Sequence, residues 1–394
     1  MQFKGLQTIV TLSNKFRILN KYLGNFFWYI SLCEYHRLRK LSPLKSFKFM
    51  QQTPIWRSIY QILSYRPLNK IIKYFDKNII FNGDSIIESY LKSIHPQLVL
   101  YPGSAMDSYS HIVSRTAEKS NIPTVMVISH WDFFSKKSIL RFNPSKIYVW
   151  GEDMKKSALL DQNINKNLIE IVGSPNLDKY KHWTFYDRSL ALSSFGIPTN
   201  TKVILFAGTS VPYDEVSVLQ RINSYLEENH IQNILIIYRP HPRGWVRKTS
   251  ATVSPANMKF VKIDTPKSIN FSSQDHYINL LSAVDGIVSP FSTMILEGAL
   301  CGKQVLCISF ADTVNEFDFS ITNISDHLEN IKIQSWATVC DKSENLEKFF
   351  SQYLVKIDTI KDQENIDIKN IIHYDHRPYS KRLSSFISKD FFNK

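Results

Sequence analysis

Beyond residue 80 the chain alternates short β-branched runs with helix-like stretches, and nothing else in it constrains the fold so tightly. "NIIFNG" leads into a helical stretch around Ser85 to Ser93, then come "QLVLYPG", a helix from about Tyr109 to Ser120, "PTVMVIS" and "KIYVWG". Strands separated by helices of about a dozen residues imply parallel pairing through right-handed crossovers, so this segment reads as a Rossmann-like half. A polar passage follows, with a linker expected near residues 176 to 200. The alternation then restarts with "KVILFAG", a helix near Glu215 to Glu228, "NILIIYRP", "MKFVKI", "GIVSP" and "QVLCISF". This second series is expected to end near residue 330, with a mostly helical tail beyond. The expected class is α/β, with two doubly wound halves facing across a cleft at the carboxyl ends of both sheets, where such folds bind ligands.

Three segments are expected: residues 1–80, a basic aromatic and helical region; 81–190, the first Rossmann-like domain; and 191–394, the second, whose last helix returns to the first. Length supports more than one domain, since 394 residues with 43% hydrophobic composition exceed a single typical core. Four cysteines, Cys33, Cys301, Cys307 and Cys340, lack CxxC or CxxH spacing, which signals neither a disulfide framework nor a zinc site and suits a reducing cytoplasm. The apolar run Tyr22 to Cys33 is too short to span a bilayer, and no cleavable signal pattern precedes it.

The net charge of +13 is local. Residues 1–80 hold 14 Lys and Arg against Glu34 and Asp76, while the other 314 residues carry 34 basic and 33 acidic side chains. In "GNFFWYISLCEYHRLRKLSPLKSFKF" the cations are interleaved with aromatics, a pattern that fits peripheral docking on an anionic membrane face and equally a solvated basic region packed on the main body. No nucleic-acid-binding signature accompanies the charge, so nucleic acid is not expected as a partner.

Chemistry concentrates in the second half. "IIYRPHPRGW" ends a buried strand in Arg239, His241 and Arg243; arginines clamp phosphate oxygens bidentately, and the histidine can donate to the same group. A charged surface turn would look the same. In "DGIVSPFSTMILEGALCGKQVLCISF" a strand containing Ser289 runs through a turn into a helix for which Ser292 or Thr293 is a natural N-cap, making an anion site at the positive end of a helix dipole. Glu297, one turn past Thr293, lies on the same face and can accept hydrogen bonds from a ribose diol. A third element, "FAGTSVPYDE", sets Gly208, Thr209 and Ser210 after a strand, where their amides and hydroxyls can hold a phosphate or sugar or simply form a turn.

Taken together, "YRPHPRGW" and "SPFSTMILEGALCGKQVL" resemble the nucleotide-binding half of GT-B fold glycosyltransferases of bacterial surface-polysaccharide assembly. The resemblance implies donor-phosphate contacts for His241, Ser292 and Thr293 and ribose binding for Glu297. "VISHWDFFSKK" is similar to the SWDN-x-x-SK stretch of that superfamily, "VWGEDMKKSAL" and "IVGSPNLDKY" to the segments following it, and "HYDHRPYSKRLSSFI" to its DG-x-x-x-x-R element, with His376 in place of the glycine. It covers the chain from about residue 80 onward. Residues 1–80 show no clear version of the glycine-rich first strand of such proteins.

Cleaving a bond between a sugar and a nucleotide phosphate develops negative charge on the leaving group, which cations and helix-end amides stabilise. No Asp-x-Asp pair occurs, so neither a metal nor another cofactor is expected. An inverting transfer also needs a base from the opposite half. Asp107, in "YPGSAMDSYS", is favoured, with Asp132 beside His130 in "SHWDFF" as the other choice. The expected activity is transfer from a nucleotide-sugar donor to a surface-glycan acceptor (capsule, O-antigen or lipid-linked), at the cytoplasmic side of the cell. Alternatives are a CDP-glycerol-type glycerophosphotransferase, a nonhydrolysing UDP-sugar 2-epimerase and a catalytically inactive binding module.

Overall fold

A computed structural model describes residues 23–38, 49, 52–76, 83–103, 108–134, 140, 144–182, 187–193, 195–209, 213–241, 251–264, 274–310, 330–359 and 368–392. The chain divides into two compact units, the first comprising Met1–Asp178 with Lys369–Lys394 and the second Lys179–Ile368. The first boundary therefore falls at 178/179, earlier in the chain than 190/191, and residues 1–80 belong to the first unit.

In the first unit, helices α1 (Asn25–Leu38), α2 (Pro54–Leu63), α3 (Leu68–Phe75) and α4 (Ser85–Ile94) precede strand β1 (Val99–Gly103). The expected strand "NIIFNG" falls mostly outside the described residues. Then follow α5 (Ser108–Lys119), β2 (Thr124–Ile128), β3 (Lys146–Val149), α6 (Glu152–Leu160) and β4 (Ile169–Ile171). The strands pair in parallel in chain order, β1-β2-β3-β4.

The second unit begins with α7 (Lys179–His182) and α8 (Arg188–Ser193) and continues through β5 (Lys202–Ala207), α9 (Glu215–Glu228), β6 (Ile234–Arg239), β7 (Val261–Ile263), α10 (Gln274–Ala283), β8 (Gly286–Pro290), α11 (Thr293–Leu300) and β9 (Gln304–Ile308). It closes with β10 (Ala337–Cys340) and α12 (Leu346–Thr359), and the last helix, α13 (Tyr379–Ile387), lies in the first unit. β10 is a correction to the expected end of the series near residue 330: four residues, Ala337 to Cys340, add an edge strand parallel to β9. Strands β8 and β9 are buried along their whole length, as parallel strands covered on both faces must be, which is why they read as unbroken apolar runs.

Strand order in the second sheet is β10-β9-β8-β5-β6-β7. The chain builds outward from β5 to β7, then returns to the other side of β5 and builds outward again from β8 to β10. The reversal between β5 and β8 is a topological switch point, and an open α/β sheet offers its ligand crevice outside the carboxyl ends of the strands there.

The returning C-terminal segment is fastened in the first unit by Arg382, which is fully buried. Its Nε donates to the Val172 carbonyl at 2.9 Å, and its terminal nitrogens bond the Asp178 carboxylate at 2.7 Å and the Arg377 carbonyl. The same Asp178 accepts the Tyr379 amide at 2.7 Å. Gly173, at φ +98°, makes room: a Cβ there would sit 2.5 Å from the His373 carbonyl oxygen. Tyr379 and Ile387 complete a core cluster with Val125, Tyr148 and Val172.

Candidate functional site

Three adjacent strand ends, those of β8, β5 and β6, meet at the switch point of the second unit. Neighbouring strands lie about 4.8 Å apart, so the ends of β8 and β6 are on the order of 10 Å from each other. All of the described residues expected to bind nucleotide sugar sit on these three ends or on the helix that follows one of them.

At β8, Ser292 is the N-cap of α11, in extended conformation, and its Oγ accepts the Met294 amide at 3.3 Å. That bond satisfies one of the orphan amides of the first turn, and the hydroxyl also pairs with Ser289 Oγ. Ser289 is fully buried; its Oγ lies 2.9 Å from the Pro290 carbonyl and 3.2 Å from Ser292 Oγ. Thr293 opens the helix and is half-buried.

Glu297, one turn further along α11, accepts the Tyr180 hydroxyl at 2.7 Å. The Tyr277 hydroxyl bonds the same carboxyl and also reaches the Met294 sulfur. Burial raises the Glu297 carboxyl above the ordinary glutamate range, and the two tyrosine hydroxyls, Lys179 and Arg239 partly oppose that rise. The Tyr277 phenol is itself pushed well up by burial, then by the neighbouring Glu297 charge. An ionised carboxylate offers about four lone-pair positions, so two tyrosine donors leave acceptor capacity for a ligand hydroxyl pair.

At β6, Arg239 is less free than the sequence suggested. Its guanidinium forms an ion pair with Asp264 just beyond β7, and its Cζ stands 5.1 Å from the centroid of the Tyr277 ring. The side chain therefore ties the ends of β6 and β7 to the tyrosine that touches Glu297, and a clamp on phosphate would have to share it with Asp264. His241 is half-buried two residues on, while Arg243 lies outside the described residues.

At β5, Gly208 and Thr209 depart from the expected amide cradle. The Gly208 amide donates to the Arg239 carbonyl at 2.9 Å, extending the sheet, and the Thr209 amide donates to Glu215 Oε1 at 2.7 Å. Both amides are thus taken by protein acceptors. Glu215, buried in the first turn of α9, also accepts the Tyr238 hydroxyl at 2.8 Å. Glycine is required at 208 because a Cβ would stand 2.6 Å from Glu215 Oε2 and 2.9 Å from the His241 amide nitrogen. The close approach holds the β5 loop against the start of the histidine segment. Ser210 lies outside the described residues.

Four residues were missed in the sequence: Tyr180, Glu215, Asp264 and Tyr277. Asp264 had a readable signal, because parallel pairing of β6 with β7 puts the residue after Ile263 beside Arg239. The tyrosines carried none, since an aromatic on a helix ordinarily reads as core.

No family model matches the chain, and no curated protein matches it. Among solved structures it is similar to S. aureus MnaA in complex with UDP, at TM-score 0.56 and 11% identity over 93% of this chain and 95% of that one. It is also similar to UDP-GlcNAc 2-epimerase from Neisseria meningitidis bound to UDP-GlcNAc, at 0.54 and 18% over 77% and 80%. A third similar structure is UDP-GlcNAc 2-epimerase from Methanocaldococcus jannaschii with UDP-GlcNAc and UDP, at 0.51 and 15% over 92% and 97%. The chain has a GT-B-type fold. Its two Rossmann-like units are the ones the alternation of strands and helices indicated.

In the first unit of this GT-B-type chain, His130 and Asp132 share the turn that leaves β2, His130 exposed and Asp132 half-buried. The turn is anchored at its start, where the Ser129 hydroxyl donates to the Gly103 carbonyl at 2.7 Å and so joins the carboxyl ends of β1 and β2. The buried Trp150 indole supports it from β3 through the Ile128 carbonyl at 2.8 Å. Asp107, favoured as the base, lies outside the described residues.

Proposed function

We propose that the chain is a glycosyltransferase that binds a nucleotide sugar at the switch point of its second unit and passes the sugar to a surface-glycan acceptor. One observation carries the reading. The capped start of α11 and the half-buried Glu297 at the end of β8, and the half-buried His241 at the end of β6, flank the end of β5 in one sheet and are linked through Arg239 and Tyr277. In this reading the Ser292 hydroxyl and the helix dipole take the donor phosphates, His241 donates to the same charge, and Glu297 receives the ribose hydroxyls with its remaining lone pairs. Arg239 holds Tyr277 in place. As the sugar–phosphate bond breaks, these fixed donors meet the charge that develops on the leaving group. Proton removal from the acceptor falls to Asp107, with Asp132 and His130 as the other choice in the first unit.

A second reading, a UDP-GlcNAc 2-epimerase, is favoured by the fold likeness to structures holding UDP or UDP-GlcNAc. The two differ in whether an acceptor is needed. Purified protein incubated with UDP-GlcNAc and no acceptor, with products followed by NMR, separates them. The transferase reading predicts an unchanged donor until a glycan acceptor is supplied, and activity undiminished by a chelator. Acceptor-free conversion at the sugar's C2 would establish the epimerase instead, use of a CDP-polyol alone a glycerophosphotransferase, and tight nucleotide binding without turnover an inactive module.

A further inference from the structure

Helix α3, which residues 64–67 join to α2, is set into the first unit the wrong way round for a surface that faces water. α3 repeats its apolar residues at helical spacing, Leu68, Ile71, Ile72 and Phe75, yet its buried positions are Asn69, at 4% exposure, and the capping Asp76, at 3%. Lys73, on that inner side, is ion-paired with the buried Glu34 at 2.8 Å. Of the apolar stripe only Ile72 packs against the aromatic core cluster of α1 and α2, whereas Ile71 is 51% exposed and Tyr74 60%. α2 divides its apolar arc. Tyr60 and Leu63 face that cluster, while Ile55, 72% exposed, and Ile62, 58%, face outward. A helix normally turns its apolar stripe to the core and its polar side to water. Exposed large apolar side chains at this density mark an interaction surface.

The charge around the face identifies what it meets. Between Thr53 and Phe75 stand Arg57, Arg66 and Lys70, besides the Lys73 that Glu34 already pairs, and no acidic residue, within a region of 14 cations and two carboxylates. Trp56, Tyr65 and Tyr74 are also exposed there. Protein interface cores are depleted in lysine. Amphipathic helices that pair apolar and aromatic residues with Lys and Arg instead lie in a bilayer interface, the apolar side chains below the headgroups and the cations among them.

We propose that α2 and α3 form a docking surface for an anionic lipid bilayer, lying in its interface without crossing it. Among the described residues no helix is long and apolar enough to span one. The occupancy does not depend on what the second unit binds.

Co-sedimentation of the full chain with vesicles tests this. Phosphatidylglycerol–phosphatidylcholine vesicles should carry the protein down, phosphatidylcholine vesicles should not, and added salt should release it. Ile71→Glu with Tyr74→Glu should weaken partitioning by at least about tenfold, and Lys70→Glu by a smaller factor, both at unchanged melting temperature because all three side chains are exposed. The proposal is overturned if wild type stays in the supernatant with both vesicle types, or if both variants partition like wild type. A concentration-dependent dimer that the double substitution dissociates, with no vesicle binding, would assign the face to a second copy of the chain instead.

Discussion

The Glu297 carboxyl is held in a fold that disfavours its charge. Its folded-state pKa is raised, chiefly by burial, so the ionised form is disfavoured in the fold. The stability of such a group is fully present below its unfolded pKa, about 4.3, and is lost as pH rises through the higher folded value. Glu297→Gln removes that loss while keeping an oxygen for the Tyr180 hydroxyl. The variant should therefore melt above wild type at neutral pH, the advantage vanishing as pH falls below the ordinary glutamate range, and should bind UDP more weakly. Calorimetric melts across pH check the first part; a variant less stable than wild type at neutral pH would make the carboxylate a structural acceptor. Residue identity was legible here, but residue environment was not. The sequence placed Glu297 in the helix one turn past Thr293, where the structure has it, yet nothing near it announces Tyr180, 117 residues earlier, as its donor. Gly208 and Thr209 illustrate the converse: their amides look available in "FAGTS" because a sequence does not show that Glu215, six residues on, folds back to take one of them.

At the scale of elements, α11 depends on one cap. Ser292→Ala should cost about 1 kcal/mol of apo stability, the ordinary value for losing an N-cap hydroxyl, measured by urea denaturation. A loss of several kcal/mol would place the serine in the core of the fold, and no loss would show the cap bond to be immaterial. The C-terminal helix rests on a stronger tie. Arg382→Ala leaves Asp178 buried without its cation, so the same measurement should show a loss of roughly 3–5 kcal/mol; a loss under about 1 kcal/mol would mean that packing by Tyr379 and Ile387 alone secures the helix. Elements were largely legible because parallel strands buried on both faces appear as continuous apolar runs, as in β8 and β9. β10 escaped because four residues, "ATVC", carry too little periodicity to stand out from a loop. The inverted polarity of α3 was hidden for a different reason. Its stripe is plain in "LNKIIKYF", but a stripe alone does not say which side faces the protein, and the Lys73–Glu34 pair that turns the polar side inward spans 39 residues.

Across the whole molecule, the proposed site depends on strand order. Alternating strands and helices imply parallel sheets, but the reversal between β5 and β8 is a property of the folded sheet, and it brings residues 208–209, 239–241 and 289–297 to one edge. If those segments hold one nucleotide, His241 and Ser292 act on the same phosphates and their contributions to binding are coupled. Residues sharing a ligand group show interaction energies of about 0.5–3 kcal/mol, whereas independent sites add. The decisive measurement is a double-mutant cycle for UDP affinity by titration calorimetry, using wild type, His241→Ala, Ser292→Ala and the pair. Each single substitution should weaken binding and the double should weaken it by clearly less than the sum. Strict additivity, or a wild-type chain that binds no nucleotide, would contradict the site.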